Sequence, residues 1–273
     1  MPVRLRIASD THLSTITPEA VANWRAVVAD VGADPPDIVV HTGDLTADGA
    51  LRPDDLALAA DELARIPVPW FAVPGNHDIG DTPLGPGQAG SIVSSGYVGQ
   101  FRDLFGPDHW AVDVGPWRLV GVDALILGSG LPEEDEQWAW LEDVLDVGTP
   151  IAVFLHKPLG PPPGVRERGG WRFVPDDAAR RLAALLARHR VGTVVSGHLH
   201  EHRAHVRSGV AHLWVPTAWA ALPHTMGPAY GERQCGVLDL VLGDDGTVEP
   251  MFRQPPGLVD YVLGENLVDP YAA

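Results

Sequence analysis

The sequence predicts an α/β fold built on parallel strands. Three short apolar runs rich in valine and isoleucine, at residues 4–9, 38–42 and 68–73, are typical of buried strands. Two amphipathic stretches, at residues 17–31 and 53–65, separate these runs and have the spacing of helices. This alternation implies parallel strands joined by right-handed crossovers, and ligands then gather at the carboxyl ends of the strands.

Both helices carry recognisable start signals. Thr17 is placed to cap the first helix, and Pro18 fits its first turn. The apolar stripe of that helix consists of Val21, Trp24, Val28 and Val31. The second helix opens with Asp54 and Asp55, which the helix dipole favours at an amino terminus.

The middle of the chain continues the alternation, and the last third changes to hairpins. The predicted middle elements are a helix at 97–105, a hairpin of 109–114 and 118–122, a helix from 132 with Trp138, Leu141 and Leu145 inward, a strand at 151–155, a helix at 176–190 and a strand at 193–195. The predicted hairpin strands that follow are 202–207, 210–215, 236–242 and 247–253.

No repeat or linker divides the chain, so residues 1–253 are predicted to form one domain. Residues 254–273, interrupted by proline and glycine, are predicted to be a tail packed on it. Two loops, 81–100 and 157–175, are too long to be simple connectors. Both follow strand ends, so they should stand at the mouth of a site formed there.

The composition limits the classes of function. A formal net charge of -17 argues against general nucleic-acid binding, although it leaves room for a local cationic pocket. The single cysteine, Cys235, excludes an intrachain disulfide and fits a reducing compartment. The amino terminus lacks a signal-peptide pattern, and prolines interrupt the uncharged stretch 208–230, so a cytoplasmic protein without a membrane span is expected. A homodimer is left open.

Five strand ends carry side chains of the kinds that bind metals. Asp44, after the strand at 38–42, is the group best placed to be shared, since a carboxylate has two oxygens. Residues two apart on an extended backbone point the same way, so Asp10 and His12 can reach one ion, and His198 and His200 lie on one face of an extended segment. The other candidates are Asp10, His12, Asn76, His156, His198 and His200.

Each motif, taken alone, also has a purely structural explanation. Gly43-Asp44 is common turn chemistry, and Asp10-Thr11-His12 could be a turn with a helix cap. His156 alone would more often be a core histidine with a satisfied hydrogen bond. The whole set, each member ending an apolar strand, is hard to explain in this way.

The number and type of these donors indicate two adjacent divalent ions. Seven donors exceed what a single catalytic zinc takes from a protein and suit two ions with a shared bridge. Imidazole and carboxylate groups without a thiolate favour Mn, Fe or Zn. The residual positive field of such a pair would attract a phosphate even in an acidic protein.

The motifs D-x-H, G-D, G-N-H-D, a single H and G-H-x-H, in that order, resemble those of the calcineurin-like metallophosphoesterase superfamily over roughly residues 5–215. The resemblance implies a four-layer α/β/β/α sandwich of two mixed β-sheets flanked by helices. It also implies that Asp10, His12, Asp44 and His200 hold one ion, and that Asp44, Asn76, His156 and His198 hold the other.

The same resemblance assigns His77 to catalysis instead of metal binding. In that role it faces the phosphate and protonates the leaving oxygen. Asp78 either orients His77 or caps the following turn.

Departures from the pattern separate the branches of the superfamily. Purple acid phosphatases place a tyrosine three residues after the bridging aspartate, where this chain has Ala47. Phosphoprotein phosphatases have G-N-H-E, where this chain has Gly75-Asn76-His77-Asp78. The pattern is most similar to the class III cyclic nucleotide phosphodiesterases.

The predicted function is hydrolysis of a small phosphoester, with diesters preferred and cyclic nucleotides among the candidates. A phosphomonoesterase of the same fold is the alternative. A non-catalytic protein-binding scaffold is a third hypothesis, although a scaffold would be expected to have lost ligands. In the second long loop, Lys157, Arg166, Arg168 and Arg172 could grip phosphate or base, or could be solvated. The histidines expected to be strand residues without chemistry are His41, His202, His205 and His212.

Overall fold

The computed structural model describes residues 1–83, 90–165, 171–226, 228–268 and 270. The helices in this part are α1 (Pro18–Ala33), α2 (Pro53–Leu63), α3 (Asn76–Ile79), α4 (Ser95–Phe105), α5 (Pro132–Val144) and α6 (Asp176–Leu186), with a 3-10 turn at His224–Met226. The strands are β1 (Val3–Ala8), β2 (Ile38–His41), β3 (Trp70–Ala72), β4 (Trp110–Val114), β5 (Trp117–Val122), β6 (Ile151–Leu155), β7 (Val191–Ser196), β8 (Arg203–Arg207), β9 (Val210–Trp214), β10 (Ala220–Ala221), β11 (Val237–Leu242), β12 (Val248–Arg253) and β13 (Tyr261–Val262).

Two large mixed sheets organise these elements. The first sheet has the order β12-β11-β1-β2-β3, with β1, β2 and β3 parallel and the β11–β12 hairpin antiparallel beside β1. The second sheet has the order β4-β5-β6-β7-β9-β8, with β5, β6, β7 and β9 parallel. A two-stranded parallel ribbon joins β10 to β13. This architecture confirms the predicted fold class.

The inner faces of the two sheets meet in an apolar layer. Leu5 and Val40 from the first sheet and Leu119 and Phe154 from the second belong to one buried cluster. The outer faces pack against helices, where Trp24 of α1 is fully buried. Burial on both faces explains why the parallel strands have continuous apolar sequences and no alternation.

Some element predictions needed correction at their ends. Strand β3 is shorter than the predicted 68–73, and α3 lies where the sequence had predicted neither a helix nor a strand. Thr17 stands before α1, but its hydroxyl donates to the carbonyls of His12 and Ser14 and makes no cap hydrogen bond. In the described ranges, no helix combines the length and apolarity that a membrane crossing requires.

The sheet topology gathers the predicted strand ends at one place. Asp10, Asp44 and Asn76 follow the adjacent parallel strands β1, β2 and β3. His156 and His198 follow the adjacent parallel strands β6 and β7 of the facing sheet. Because parallel strands share the direction of their carboxyl ends, all five strand ends meet along one edge of the sandwich.

Candidate metal centre

Asp10, His12 and His200 form the first group of donors. Each offers one ligand atom, and these atoms lie within 4.8 Å of one another. The Nε2 atoms of His12 and His200 are 3.2 Å apart, and Nε2 of His200 is 3.4 Å from Oδ1 of Asp10. All three residues are buried, so the group is shielded from bulk water.

Asp44, His156 and His198 form a second group by the same distance criterion. Nδ1 of His198 lies 3.1 Å from Nε2 of His156. The side-chain oxygen of Asn76 lies 3.1 Å from the same Nε2. An amide oxygen therefore joins the imidazoles and the carboxylate, as the sequence predicted for this strand end.

Asp44 lies between the two groups. Its Oδ2 is 3.3 Å from Nε2 of His156 and 3.7 Å from Nε2 of His12. Its Oδ1 accepts a hydrogen bond of 2.8 Å from the backbone N–H of His77. The carboxylate thus lies within 3.7 Å of a histidine nitrogen from each donor group.

Backbone carbonyls fix the tautomers of three of these histidines. Nδ1–H of His156 donates to the carbonyl of Thr42 at 2.8 Å, and Nδ1–H of His200 donates to that of Ala220 at 2.6 Å. Nε2–H of His198 donates to the carbonyl of Trp171 at 2.8 Å. Since a carbonyl only accepts, the second ring nitrogen of each neutral histidine has its lone pair directed into the site.

This arrangement fits metal ions on chemical grounds. In their neutral forms, His156 and His198 bring two lone pairs face to face at 3.1 Å. Such a contact is repulsive unless a proton or a cation lies between the nitrogens. Nitrogen and oxygen donors without sulfur suit Mn, Fe or Zn.

The backbone at the donors has an unusual conformation. Among the non-glycine residues with positive φ are Asp10, His12, Asp44, His198 and His200, with φ between 46° and 71°. This left-handed region costs free energy for an ordinary L-residue and is concentrated at functional sites. The extended backbone that the sequence predicted at Asp10–His12 and His198–His200 is therefore wrong, and left-handed turns present the donors to one small volume instead.

Two glycines of the motifs allow the loops to touch. A Cβ on Gly75 would overlap the backbone nitrogen and Oδ1 of Asp44. Gly43 has φ +97°, and a Cβ there would come within 2.6 Å of Nδ1 of His156. Glycine is therefore required at both positions by contact between strand ends.

Burial and ion pairs set the protonation of the donor side chains. Burial disfavours a charged His156, but Asp44 outweighs that effect and raises the pKa of His156 to about 9. Burial would likewise raise the pKa of Asp44, yet His156 and His77 hold it well below its usual value. Burial, reinforced by His156 and Lys157, keeps the pKa of His198 well below the ordinary value. The protonated His156 and the ionised Asp44 thus form an ion pair inside the site.

His77 lies beside the donors. Its Nδ1–H donates to the carbonyl of Ala47 at 2.6 Å, and its ring centroid is 4.6 Å from that of His12. One of its ring nitrogens also falls within 4.8 Å of donor atoms on His12 and Asp44. His77 is therefore grouped with one member of each donor set, His12 and Asp44.

Asp78 connects the loop after β2 with the loop after β3. Its carboxylate accepts from the backbone N–H groups of Leu45, Thr46 and Gly75 at 3.1, 2.9 and 2.8 Å, and from the Thr46 hydroxyl at 2.7 Å. Burial, followed by the charge of Asp44, raises the pKa of Asp78 to about 6. These contacts hold the backbone that carries Asp44 against the backbone that carries His77.

A cavity of about 200 Å³ opens beside the donors. The polar residues that line it are His12, Asp44, Asn76, His77, Asp81, His198 and His200. Its apolar wall consists of Trp171, Trp219, Leu222, Met226 and Leu263, which the sequence reading had not connected with the site. A larger cavity of about 470 Å³ lies between α6 and the β8–β9 hairpin, but it contains none of the predicted site residues.

The basic residues of the second long loop behave differently from the prediction of a phosphate grip or a solvated loop. Lys157 is fully buried and forms an ion pair with Asp81. Arg172 is 6% exposed and donates to the carbonyls of Met226 and Pro228. Arg166 and Arg168 lie outside the described residues.

His41 has a structural role that its position in a strand did not indicate. It is buried, and burial lowers its pKa to about 4. Its Nδ1 accepts from the backbone N–H of Gly43 at 3.2 Å, and its Nε2 lies 3.0 Å from the Thr11 hydroxyl. The neutral ring therefore braces the two turns that carry Asp10 and Asp44. The other three histidines of this class, His202, His205 and His212, lie on or next to β8 and β9.

Comparison with known proteins supports the resemblance to the calcineurin-like metallophosphoesterases. The model of the calcineurin-like phosphoesterase family matches residues 3–202. The chain belongs to this family. The matched span includes every predicted ligand and His77, and it ends before most of the apolar wall of the cavity.

The proteins of similar sequence include an enzyme. A glycerophosphodiester phosphodiesterase, GpdQ, from Enterobacter lignolyticus is 31% identical over 130 residues, which are 45% of this chain and 42% of that protein. The chain therefore matches less than half the length of this curated relative.

Two solved structures share the fold. Purple acid phosphatase PPD1 from yellow lupin superposes with a TM-score of 0.68 at 17% identity, covering 96% of this chain and 54% of that one. GAP50, the anchor in the inner membrane complex of Plasmodium, superposes with a TM-score of 0.66 at 16% identity, covering 94% and 86%. At these identities the likeness concerns the fold alone.

Proposed function

We propose that this protein is a phosphodiesterase that depends on two divalent metal ions. The observation that carries the proposal is the convergence of two donor groups on Asp44, which lies within 3.7 Å of a nitrogen from each group. His77 stands next to both groups. Membership of the calcineurin-like phosphoesterase family and the phosphodiesterase relative support the reaction class.

The donors divide into two sets with a common member. Asp10, His12, Asp44 and His200 would hold one ion, and Asp44, Asn76, His156 and His198 would hold the other. When bound, the two ions supply the positive charge that activates a water and offsets the charge on the phosphoryl oxygens. The carbonyl partners of His156, His198 and His200 keep these rings oriented for that purpose.

His77 is proposed as the general acid. Hydrolysis forms one P–O bond from water and breaks the P–O bond to the leaving group, whose oxygen then needs a proton. Because Nδ1–H of His77 is held by the Ala47 carbonyl, Nε2 is the nitrogen that can deliver a proton in the cavity. Asp78 is proposed to position the two loops and not to exchange protons with substrate.

Diesters are proposed as better substrates than monoesters. A dianionic monoester would be held more tightly by the residual positive charge of two bound ions, but ground-state binding does not by itself raise turnover. A diester carries one charge and needs room for a second organic group. The apolar wall of the cavity offers such room. Cyclic nucleotides and glycerophosphodiesters are both within this class.

A metal titration with matched substrates tests the proposal. The metal-free protein is assayed with bis(p-nitrophenyl) phosphate and p-nitrophenyl phosphate in the presence of Mn²⁺, Fe²⁺ or Zn²⁺, and Asp44→Asn serves as the matched inactive variant. We expect metal-dependent diester hydrolysis with the higher kcat/KM. A higher kcat/KM for the monoester across the pH range would replace the proposal with a phosphatase. Metal binding without any turnover would favour the non-catalytic protein-binding scaffold.

A further inference from the structure

We propose that the diester substrate carries a compact apolar group, preferably aromatic, as the ester group that stays on phosphorus after hydrolysis. This retained group packs against the apolar wall. This inference rests on the proposed phosphodiesterase function and names its substrate class. The apolar wall is the set Trp171, Trp219, Leu222, Met226 and Leu263.

The wall stands directly against the donors. The Trp219 ring centroid is 4.9 Å from that of His12, and the Trp171 ring centroid is 5.5 Å from that of His198. Each donor group is therefore in contact with one indole: Trp219 lies against His12 of the first group, and Trp171 lies against His198 of the second. A group bonded to a phosphate held between the two donor groups would have an aromatic face within reach on either side.

The wall is held in place before any ligand binds. Arg172 donates to the carbonyls of Met226 and Pro228 at 2.9 and 3.2 Å, which fastens the segment of Trp171 to the segment of Met226. Strand β10 pairs with β13, so Leu222 and Leu263 each follow a strand of the same ribbon. A preformed wall spares the substrate much of the ordering cost of binding.

The wall and the donors come from different parts of the chain. The family match ends at residue 202, whereas Trp219, Leu222, Met226 and Leu263 follow it. The reaction machinery thus lies in the family region, and most of the apolar wall lies beyond it. This separation is the arrangement expected if the wall determines which ester is accepted.

The volume and polarity of the cavity further restrict the retained ester group. An apolar cavity of about 150 Å³ accepts benzene, and this cavity of about 200 Å³ must also hold the phosphoryl group. Room remains for one compact group, with the rest of the substrate at the open mouth. Asp81 at the cavity forms an ion pair with the buried Lys157, so a carboxylate already neutralises the charge of this lysine.

Three diesters that share p-nitrophenol as the leaving group test this inference. Their retained groups are phenyl, methyl and 2-methoxyethyl, so the leaving group is the same and no retained group carries a hydroxyl that could attack phosphorus. We expect kcat/KM for the phenyl ester to exceed that for the 2-methoxyethyl ester by about tenfold or more, the effect of burying one ring. Equal values for the three esters, with metal-dependent turnover of all of them, would overturn the inference and leave the proposed function intact.

Variants locate the preference. Met226→Ala removes a wall side chain and should lower the phenyl-to-methyl ratio of kcat/KM severalfold. Met251→Ala is the matched control, because Met251 is exposed on the edge strand β12 and is not among the residues that line the cavity. An unchanged ratio in Met226→Ala would remove the wall from the explanation.

A binding measurement keeps the inference testable without turnover. Phenylphosphonate and methylphosphonate, which cannot be hydrolysed, are titrated calorimetrically into the Mn²⁺-loaded protein. We expect phenylphosphonate to bind about tenfold more tightly. If none of the esters is hydrolysed, the proposed function fails, and the two phosphonates still decide whether the wall prefers an aromatic group.

Discussion

Gly75→Ala tests whether the metal centre depends on direct contact between the loops after β2 and β3. The backbone of Gly75, at φ -110° and ψ 177°, is open to any residue, so alanine introduces no conformational strain there. The added Cβ, however, would overlap the backbone nitrogen and Oδ1 of Asp44. Since one of the two atoms belongs to the backbone, a rotamer change alone cannot relieve the contact.

The expected magnitude follows from that overlap. Overpacking of this kind costs about 1–3 kcal/mol of unfolding free energy, and each kcal/mol lowers Tm by about 2–4 °C in a chain of this size. The atom displaced on the side chain belongs to the carboxylate proposed as the bridge. We therefore expect the affinity for both ions to fall about 10- to 100-fold, as when groups that orient ligands are removed.

Calorimetric unfolding and Mn²⁺ titration measure the two effects. Gly99→Ala is the matched control: Gly99 lies within α4, and a Cβ there would meet nothing within 4 Å. That variant should keep its metal affinity and gain about 0.5–1 kcal/mol, because glycine weakens a helix interior. A Gly75→Ala protein with the Tm and the metal affinity of the wild type would refute the reasoning.

Three further predictions concern the donors and His77. His77→Ala should retain both ions and lose roughly 10²–10⁴-fold in turnover of alkyl esters. The loss should be smaller for p-nitrophenyl esters, because their leaving group needs no proton. A parallel loss of metal content would make His77 a ligand. Asp44→Asn should weaken both metal sites together in elemental analysis, and the loss of one ion alone would place the bridge elsewhere. The pKa of His156 is raised to about 9, so a metal ion must displace the proton of this histidine. The apparent affinity for Mn²⁺ should therefore increase from pH 6.5 towards pH 9, by roughly tenfold per pH unit. An affinity independent of pH across that window would contradict the Asp44–His156 ion pair.

The sequence predicted the features that depend on short segments. Apolar runs gave the strands, and the residues directly after them gave every candidate donor from Asp10 to His200. Right-handed crossovers between parallel strands then required those residues to meet, and the structure brings them within hydrogen-bonding distances of one another. The fold class and the family are confirmed, while the role of each site residue stays a prediction.

Where sequence reasoning failed, the reason was burial. Lys157 and Arg172 stand among glycines and prolines, which is typical of a solvated loop. Both are buried because their partners, Asp81 and the carbonyls of Met226 and Pro228, come from distant segments. Composition near a residue carries no information about partners more than 50 positions away.

The support of the donors was also decided only by the tertiary structure. The carbonyl groups of Thr42, Trp171 and Ala220 orient the histidines, and a carbonyl is present at every residue, so no residue type marks it. The left-handed backbone at Asp10 and Asp44 is likewise set by packing against the neighbouring strand ends. Local sequence determined which groups reach the edge of the sandwich, because strand ends are local features. Contacts between segments far apart in the chain determined how those groups are oriented and what wall they face.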